Sequence, residues 1–217
     1  MQWLTGKKPY DRSRLLNDAA RARKKGKRQK AISLYREVLA KERDNPDLHR
    51  RIAPLLAETK QPAEAWASYR RAADAFVKKG FVEQALGVLR EASVRLPREP
   101  EVWVAISDLE IGRRRPVDAH KVLLEGRRNF RSKTDRSQAV LLLLRARKIA
   151  PRDFVTNFDL AGLFAKAGAR NRARSILEEV ASWTRGRQLR RIRGRQFALS
   201  PTPGTAWRWL RALVVGA

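Results

Sequence analysis

Apolar residues recur along this chain at spacings of three and four, with charged residues between them. In residues 28–42 the apolar positions are Ala31, Ile32, Tyr35, Val38 and Leu39. This spacing matches the turn of an α-helix that buries one face. The same pattern predicts ten helices and no strand. They lie near residues 12–25, 28–42, 46–59, 63–79, 80–97, 100–111, 117–130, 136–149, 153–167 and 171–183.

Glycine and proline mark the ends of these helices. Gly26 separates the first pair, and Asn45 followed by Pro46 supplies a cap and a first-turn proline for the third helix. Pro54 lies inside that third helix. Because a proline in mid-helix removes a backbone hydrogen bond, we expect a kink there.

One stretch carries a recognisable motif of small and apolar residues. Its members are Gly80, Ala85, Leu89, Ala92 and Pro97. They resemble the second half of the tetratricopeptide repeat, in which Gly ends one helix, small residues let two helices approach, and Pro closes the pair. Residues 135–151 and 168–177 repeat parts of the motif. The resemblance to the tetratricopeptide repeat family implies an all-α, right-handed superhelical solenoid of antiparallel helix pairs.

The spacing of alanines near the starts of alternate helices gives the internal period. These alanines are Ala31, Ala65, Ala85, Ala119, Ala139 and Ala173, and the steps between their sequence positions alternate between 34 and 20. We therefore expect a three-helix unit with a period of 54, preceded by a two-helix partial unit and ending in a unit that lacks its third helix. The alternative is a standard array of five pairs with irregular loops.

Stacked helix pairs should leave an exposed groove that holds a peptide or a partner helix. Some tetratricopeptide domains hold a partner's terminal carboxylate with Lys, Asn and Arg side chains, but here only Arg50 fits such a clamp. Inner-face positions one period apart hold Arg50, Val104 and Phe158, our candidate contacts in a mixed, partly apolar groove. If Phe158 is a contact, Phe158→Ala should weaken partner binding and leave the melting temperature nearly unchanged.

Composition narrows the class of protein. The chain has 217 residues, 43% of them apolar, with no Cys, which excludes a disulfide framework and a thiolate metal site. We expect no secretory signal, because charges interrupt the N-terminal residues before any apolar core, and no uncharged stretch approaches the roughly 18 residues of a membrane-spanning helix. We expect a cytoplasmic protein, with a peripheral position at a membrane or a place within a larger complex as further alternatives.

The net charge of +27 is concentrated at the two ends. Residues 1–30 carry 11 Lys and Arg against two Asp, and residues 185–217 carry eight Arg and no acidic residue. Such a field attracts an acidic protein, nucleic acid or an anionic membrane, and charge alone does not choose among them.

The C-terminal region contains an Arg-rich stretch at the place of the missing third helix. It is interpreted either as a capping helix or disordered arm, or as a basic tail that contacts phosphates. The candidate contacts of this tail are Arg187, Arg190, Arg191, Arg193 and Arg195.

After the breaker SPTPG, Thr205 caps a short amphipathic C-terminal helix. We expect it to cover the last repeat, to lie in an anionic membrane surface, or to dock on a partner. Its candidate docking residues are Trp207, Trp209, Leu210 and Val214.

No catalytic constellation is evident. His49 and His120 fall on different predicted helices, and the adjacent Glu178 and Glu179 point about 100° apart on a helix. Phosphate-loop, nucleophile-elbow and zinc motifs are also missing from the sequence. We expect no enzyme, no cofactor, no bound metal and no small-molecule substrate.

These features together predict four regions. They are an extension at 1–10, a repeat domain at 11–184, an Arg-rich linker at 185–204 and the C-terminal helix at 205–217. The leading hypothesis is an adaptor or scaffold for complex assembly that binds a protein partner through its groove and its basic tail. The alternatives are a nucleic-acid-binding accessory protein that uses the basic ends, and a peripheral membrane adaptor held by the C-terminal helix.

Overall fold

A computed structural model describes residues 10–214, which form twelve α-helices and no strand. The helices are α1 Arg12–Lys24, α2 Arg28–Leu39, α3 Pro46–Glu58, α4 Pro62–Lys78, α5 Val82–Arg95, α6 Pro100–Gly112, α7 Pro116–Arg127, α8 Arg136–Ile149, α9 Phe154–Lys166, α10 Arg170–Trp183, α11 Gly186–Leu199 and α12 Pro203–Val214. The predicted all-α class is confirmed, and each of the ten predicted helices is present.

The helix count corrects the expectation of about ten. One of the two additional helices is α12, which the sequence predicts separately as a short amphipathic element. The other is α11, which lies in the Arg-rich stretch where the sequence suggests a linker, a capping helix or a disordered arm. Residues 186–199 form a helix because its few apolar residues pack on the rest of unit 2. Ile192 is fully buried, and the half-buried Leu189 and Leu199 pack against the same core.

The helix starts repeat with the predicted period of 54. Helices α2, α5 and α8 start at Arg28, Val82 and Arg136, and the two series α3, α6, α9 and α4, α7, α10 repeat at the same interval. The prediction that the last unit lacks its third helix is wrong, because α11 stands in that place; it starts at Gly186, earlier than the period requires.

Six of the ten helices α1–α10 carry an alanine at their fourth position. The six alanines predicted to open alternate helices stand at this position in α2, α4, α5, α7, α8 and α10, and each is fully buried. They are Ala31, Ala65, Ala85, Ala119, Ala139 and Ala173. Because Ala carries only a Cβ, helix backbones approach closely there.

Within each unit, side chains at helix ends show an antiparallel pair: α2 with α3 in unit 1 and α8 with α9 in unit 2. Arg28, the first residue of α2, donates from Nε to Oε2 of Glu58, the last residue of α3, over 2.6 Å. Arg136, the first residue of α8, donates to the backbone carbonyl of Lys166, the last residue of α9, over 2.7 Å. A contact between the start of one helix and the end of the next requires antiparallel neighbours, as the predicted helix pairs do.

Packing divides the described chain into two compact units, and the boundary falls inside α6. Unit 1 contains the described residues up to Val102, and Tyr35, Ile52 and Tyr69 are fully buried in its core. Unit 2 starts at Trp103, and its core includes Leu123, Leu143, Leu160 and Ile192.

Pro54 does not end α3, which continues to Glu58. The helix starts at Pro46 behind the Asn45 cap, whose side-chain oxygen accepts from the backbone N–H groups of Asp47 and Leu48.

None of the described helices is both long enough and apolar enough to cross a lipid bilayer.

Gly126 near the end of α7 lies directly against the indole of Trp103 in α6. A Cβ built on Gly126 would stand 2.4 Å from Cγ of Trp103, far inside van der Waals contact. We expect Gly126→Ala to destabilise the protein by about 1–3 kcal/mol, because the Trp103 ring has no room to move in a packed core. Denaturant unfolding of the two proteins measures the difference.

Gly87 provides the matched control for this substitution, since it lies in the middle of α5 with no atom within 4 Å of an added Cβ. Gly87→Ala should stabilise the protein by about 0.5–1 kcal/mol, because Ala has the higher helix propensity. Equal effects at the two sites would contradict the packing described for Trp103.

Glu99 in the connection before α6 adds a pH dependence to stability. Partial burial, together with the hydrogen bond and negative charge of Glu101, raises the pKa of Glu99 to about 7. The folded state therefore favours the protonated carboxyl, and the stability that this group contributes is lost as pH rises from about 4.5 to about 7. Glu99→Gln should match the wild type in stability near pH 4 and exceed it at pH 8 in thermal unfolding, whereas Glu37→Gln on the surface of α2 should show no such divergence.

Candidate partner groove and C-terminal helices

The first candidate site is a groove in unit 1 between α1, α3 and α5, which encloses about 540 Å³. Its lining is mostly charged: Ala20, Arg23, Tyr35, Asp47, Arg50, Arg51, Pro54, Glu91 and Arg95. We call it the basic groove. The sequence predicts a mixed, partly apolar groove around Arg50, whereas the structure surrounds Arg50 with three further arginines.

Three of the four arginines in the basic groove have no partner within residues 10–214. Arg23 from α1 and Arg50 and Arg51 from α3 are exposed, and none of the three side chains forms an ion pair or hydrogen bond with another described residue. The acidic residues in the lining are Asp47 and Glu91, so the groove carries a net charge of +2 from four arginines and two carboxylates.

The fourth arginine, Arg95, belongs to an ion-pair network at the edge of the groove. It donates to Glu91 over 3.2 Å and to Glu58 over 3.1 Å, and Tyr69 donates to Glu91 over 3.3 Å. Arg28 also donates to Glu58, and this hydrogen bond, with that of Arg95, lowers the pKa of the Glu58 carboxyl. The network ties α5 to α3, and it leaves the free positive charge on the α1 and α3 side of the groove.

Val104 and Phe158, the other two predicted groove contacts, lie in unit 2 and are half-buried. Val104 packs against the core of this unit. The ring of Phe158 stacks on Phe154 with 5.3 Å between centroids, and it also packs against the core. Neither side chain lies in the basic groove with Arg50, so the structure does not bring the three predicted contacts together in one unit.

Arginines of α11 cover the ring of Phe158. The guanidinium carbons of Arg195 and Arg191 stand 3.5 Å and 4.7 Å from the Phe158 centroid, and Arg195 also donates to the Phe158 backbone carbonyl. Burial lowers the pKa of the Arg195 guanidinium, and the positive charge of Arg191 adds to the effect. Cations held over ring faces in this way stabilise the docking of α11 on α9.

The basic tail is therefore divided between inward and outward positions. Arg191 and Arg195 cover the α9 rings, and Arg193 donates to Gln196 over 2.9 Å. Arg187 is exposed and Arg190 is half-buried, and neither contacts another described charged group. The sequence predicts the arginine cluster, but it gives no signal that the phenylalanines of α9 lie beneath two of its members.

The predicted docking residues of α12 also divide between two faces. Trp209 stacks on Phe197 of α11 with 5.5 Å between ring centroids and an interplanar angle of 14°. Trp207, Leu210 and Val214 point away from α11 and remain exposed. The stripe formed by these three residues is thus available for contact, whereas Trp209 holds the helix in place.

One polar cluster in unit 2 contains a histidine, a threonine and an aspartate. His120 Nε2 lies 2.9 Å from Thr156 Oγ1, which donates to Asp153 Oδ2 over 2.7 Å. Asp153 also accepts from the Thr156 backbone N–H, so it is the N-cap of α9. Because the carboxylate faces the same ring nitrogen as the hydroxyl, it does not orient the imidazole as the aspartate of a catalytic triad does.

The other histidine of the chain is His49. It is buried in α3, and its Nε2 lies 2.7 Å from the backbone carbonyl of Arg43. Residues 10–214 contain no group of three or more His, Cys, Asp or Glu side chains arranged to hold a metal ion.

The aromatic contacts of α9 change the expected effect of Phe158→Ala. Because its ring packs between Phe154 and two arginines, its removal should destabilise the protein by about 1–3 kcal/mol, in contrast to the unchanged melting temperature that the sequence suggests. Val155→Ala is the control, since this residue of the same helix is 60% exposed. Denaturant unfolding should show a loss for Phe158→Ala and almost none for Val155→Ala, and equal midpoints would contradict the packing role.

Comparison with known proteins gives the following results. No protein-family model matches the chain, and no curated protein matches it. Among solved structures, a tetratricopeptide repeat protein from Parabacteroides merdae matches with 18% identity over 95% of this chain and 93% of its own, at a TM-score of 0.32. MamA matches with 14% identity over 90% of this chain and 92% of its own, at a TM-score of 0.35. PilF of Pseudomonas aeruginosa matches with 17% identity over 95% of this chain and 93% of its own, at a TM-score of 0.30. The helix pairs, buried alanines and constant helix spacing of the structure itself confirm the predicted tetratricopeptide-like fold.

Proposed function

We propose that this chain is a non-catalytic adaptor that binds an acidic segment of a protein partner in the basic groove. The observation that carries the proposal is the set of three unpartnered arginines, Arg23, Arg50 and Arg51, around one open groove. Side chains of opposite charge on a bound partner would give each of them a charge-assisted hydrogen bond.

The chemistry of the groove suits an anionic group such as a carboxylate. The guanidinium group presents planar N–H donors that match both oxygens of an Asp or Glu side chain. Arg23 comes from a different helix than Arg50 and Arg51, so a bound segment would cross from α1 to α3. An extended peptide has the shape for such a crossing, and it would pass Pro54 and Tyr35 as well.

Fewer arginines of the C-terminal basic tail are free to bind a partner than the sequence suggests. Arg191 and Arg195 are engaged with the rings of α9 and Arg193 with Gln196, which leaves the exposed Arg187 and the half-buried Arg190 without a side-chain partner among the described residues. We therefore place the main partner contact in the basic groove and treat these two arginines as secondary contacts.

Binding of a fluorescein-labelled peptide rich in Asp and Glu tests this proposal, with anisotropy as the readout. The double variant Arg50→Glu/Arg51→Glu should weaken binding by about tenfold or more, because a charge-assisted hydrogen bond is worth about 1.5–3 kcal/mol. Arg23→Glu should weaken it in the same direction. Binding should also fall as salt is raised from 50 to about 300 mM, since the contacts are exposed ion pairs.

Arg152→Glu is the matched control, because Arg152 is exposed in the turn before α9 and lies outside the groove. It changes the net charge of the chain by the same amount as Arg23→Glu. Equal losses for these two single variants would mean that total charge, and not the groove, attracts the peptide. Equal binding of a Lys-rich peptide of the same length would also overturn the proposal.

A further inference from the structure

Helix α12 has one apolar face that packs inward and a second that faces solvent. The inward face includes Trp209 and the buried Ala212. The outward face consists of Trp207, Leu210, Leu213 and Val214, which are 66%, 51%, 43% and 78% exposed. Four large apolar side chains on less than three turns of helix form an unusual concentration for a free surface. We call these four residues the outer face of α12.

Local contacts hold α12 in one orientation, so that the outer face points away from α11. Trp209 stacks on Phe197, and its Nε1 would lie only 3.2 Å from a Cβ on Gly194, which allows the indole to lie close to α11. At the start of α12, Thr202 and Thr205 exchange hydrogen bonds between backbone N–H groups and hydroxyls over 2.9 Å and 3.2 Å. Thr205 also donates to the backbone carbonyl of Ser200 over 2.8 Å.

The charged residues of α11 and α12 are all arginines, and one acidic residue of α10, Glu178, lines a cavity together with Arg208. Arg208 and Arg211 on α12 are exposed, and Arg187 on α11 is exposed as well. No Asp or Glu follows Glu179 in the sequence, so the residues of α11 and α12 include no carboxylate that could neutralise these arginines. An occupant of the outer face must therefore be apolar where it meets Trp207 and Leu210, and negatively charged around them.

An anionic lipid surface combines these two properties. The acyl region accepts Leu and Val side chains, the interfacial region accepts Trp indoles, and phosphate headgroups pair with Arg at the same depth. A short helix that lies in the plane of the interface requires only one apolar face, and α12 supplies it while its opposite face stays packed on the protein. We propose that the outer face of α12 binds anionic membrane surfaces, with Arg208 and Arg211 on lipid phosphates.

This site is independent of the basic groove. The groove lies in unit 1, whereas α12 lies in unit 2, and the two share no residue. Loss of peptide binding and loss of vesicle binding should therefore be separable by substitution.

Sedimentation of the full chain with lipid vesicles tests the proposal. The protein should bind vesicles of phosphatidylcholine with about 30% phosphatidylglycerol at least about tenfold more strongly than vesicles of phosphatidylcholine alone, because the arginines require anionic headgroups. Trp207→Ser/Leu210→Ser should reduce this binding by about tenfold, since both residues would leave the interface. Arg208→Gln/Arg211→Gln should reduce the preference for anionic vesicles.

Matched controls separate this face from general charge and general hydrophobicity. Val94→Ser/Leu144→Ser removes two apolar side chains that are 80% and 41% exposed on other helices, and it should leave vesicle binding unchanged. Arg50→Glu/Arg51→Glu should keep at least the preference for anionic over neutral vesicles. Retention of full binding by Trp207→Ser/Leu210→Ser, or an equal loss in the Val94 control, would overturn the proposal.

Because the chain contains no Cys, a single label reports directly on the helix. Leu210→Cys carrying an environment-sensitive NBD group should shift its emission to the blue when anionic vesicles are added, and Val94→Cys carrying the same group should not. A blue shift of the Leu210 label that rises with protein concentration in the absence of lipid would mean that a second copy covers the outer face, and this outcome would also overturn the proposal.

Discussion

The close approach of helix backbones at buried alanines is the constraint on which the rest of this structure depends. In six helices the fourth residue is an alanine with no exposed surface, and the residue seven positions later is small or β-branched. These later residues are Val38, Ala72, Ala92, Gly126, Ala146 and Val180. Positions seven apart fall on the same side of a helix after two turns, so each pair forms a narrow strip for a neighbouring helix. Gly126 is the extreme case, since its missing side chain is replaced by the ring of Trp103.

A repeat built on short alanine strips leaves most other positions free to carry charge. This is how a chain with 49 Lys and Arg and a net charge of +27 still folds into paired helices. Many of the arginines form ion pairs at the surface of the fold, as Arg28 does with Glu58 and Arg145 with Asp108. Those without a partner among the described residues, such as Arg50 and Arg51, are then the positions at which charge is available for another molecule.

The sequence predicts the fold well because the decisive features are local. The sequence alone shows the capping Asn before Pro46 and the regular spacing of the alanines. Neither feature depends on knowing which helices pack together. The basic groove is different, because Arg23 and Arg50 come together only when α1 and α3 pack, and no spacing along the chain indicates it. The cover over Phe158 is likewise a long-range contact, to Arg195. The sequence leaves α11 open between alternatives because this stretch is polar, and its stability as a helix depends on the burial of Ile192.

The presence of arginine rather than lysine explains how α11 and α12, which contain no acidic residue, can fold. A lysine ammonium is strongly hydrated, and holding it against an aromatic ring costs much of that hydration. The guanidinium group is planar and weakly hydrated, so Arg191 and Arg195 can lie on Phe158 while their charges repel each other. Once these contacts fix α11 on α9, α11 gives α12 a platform, because the Phe197 ring of α11 stacks on Trp209. Repulsion among the arginines is thus offset by packing, and the apolar outer face of α12 remains on a helix whose other side is already anchored.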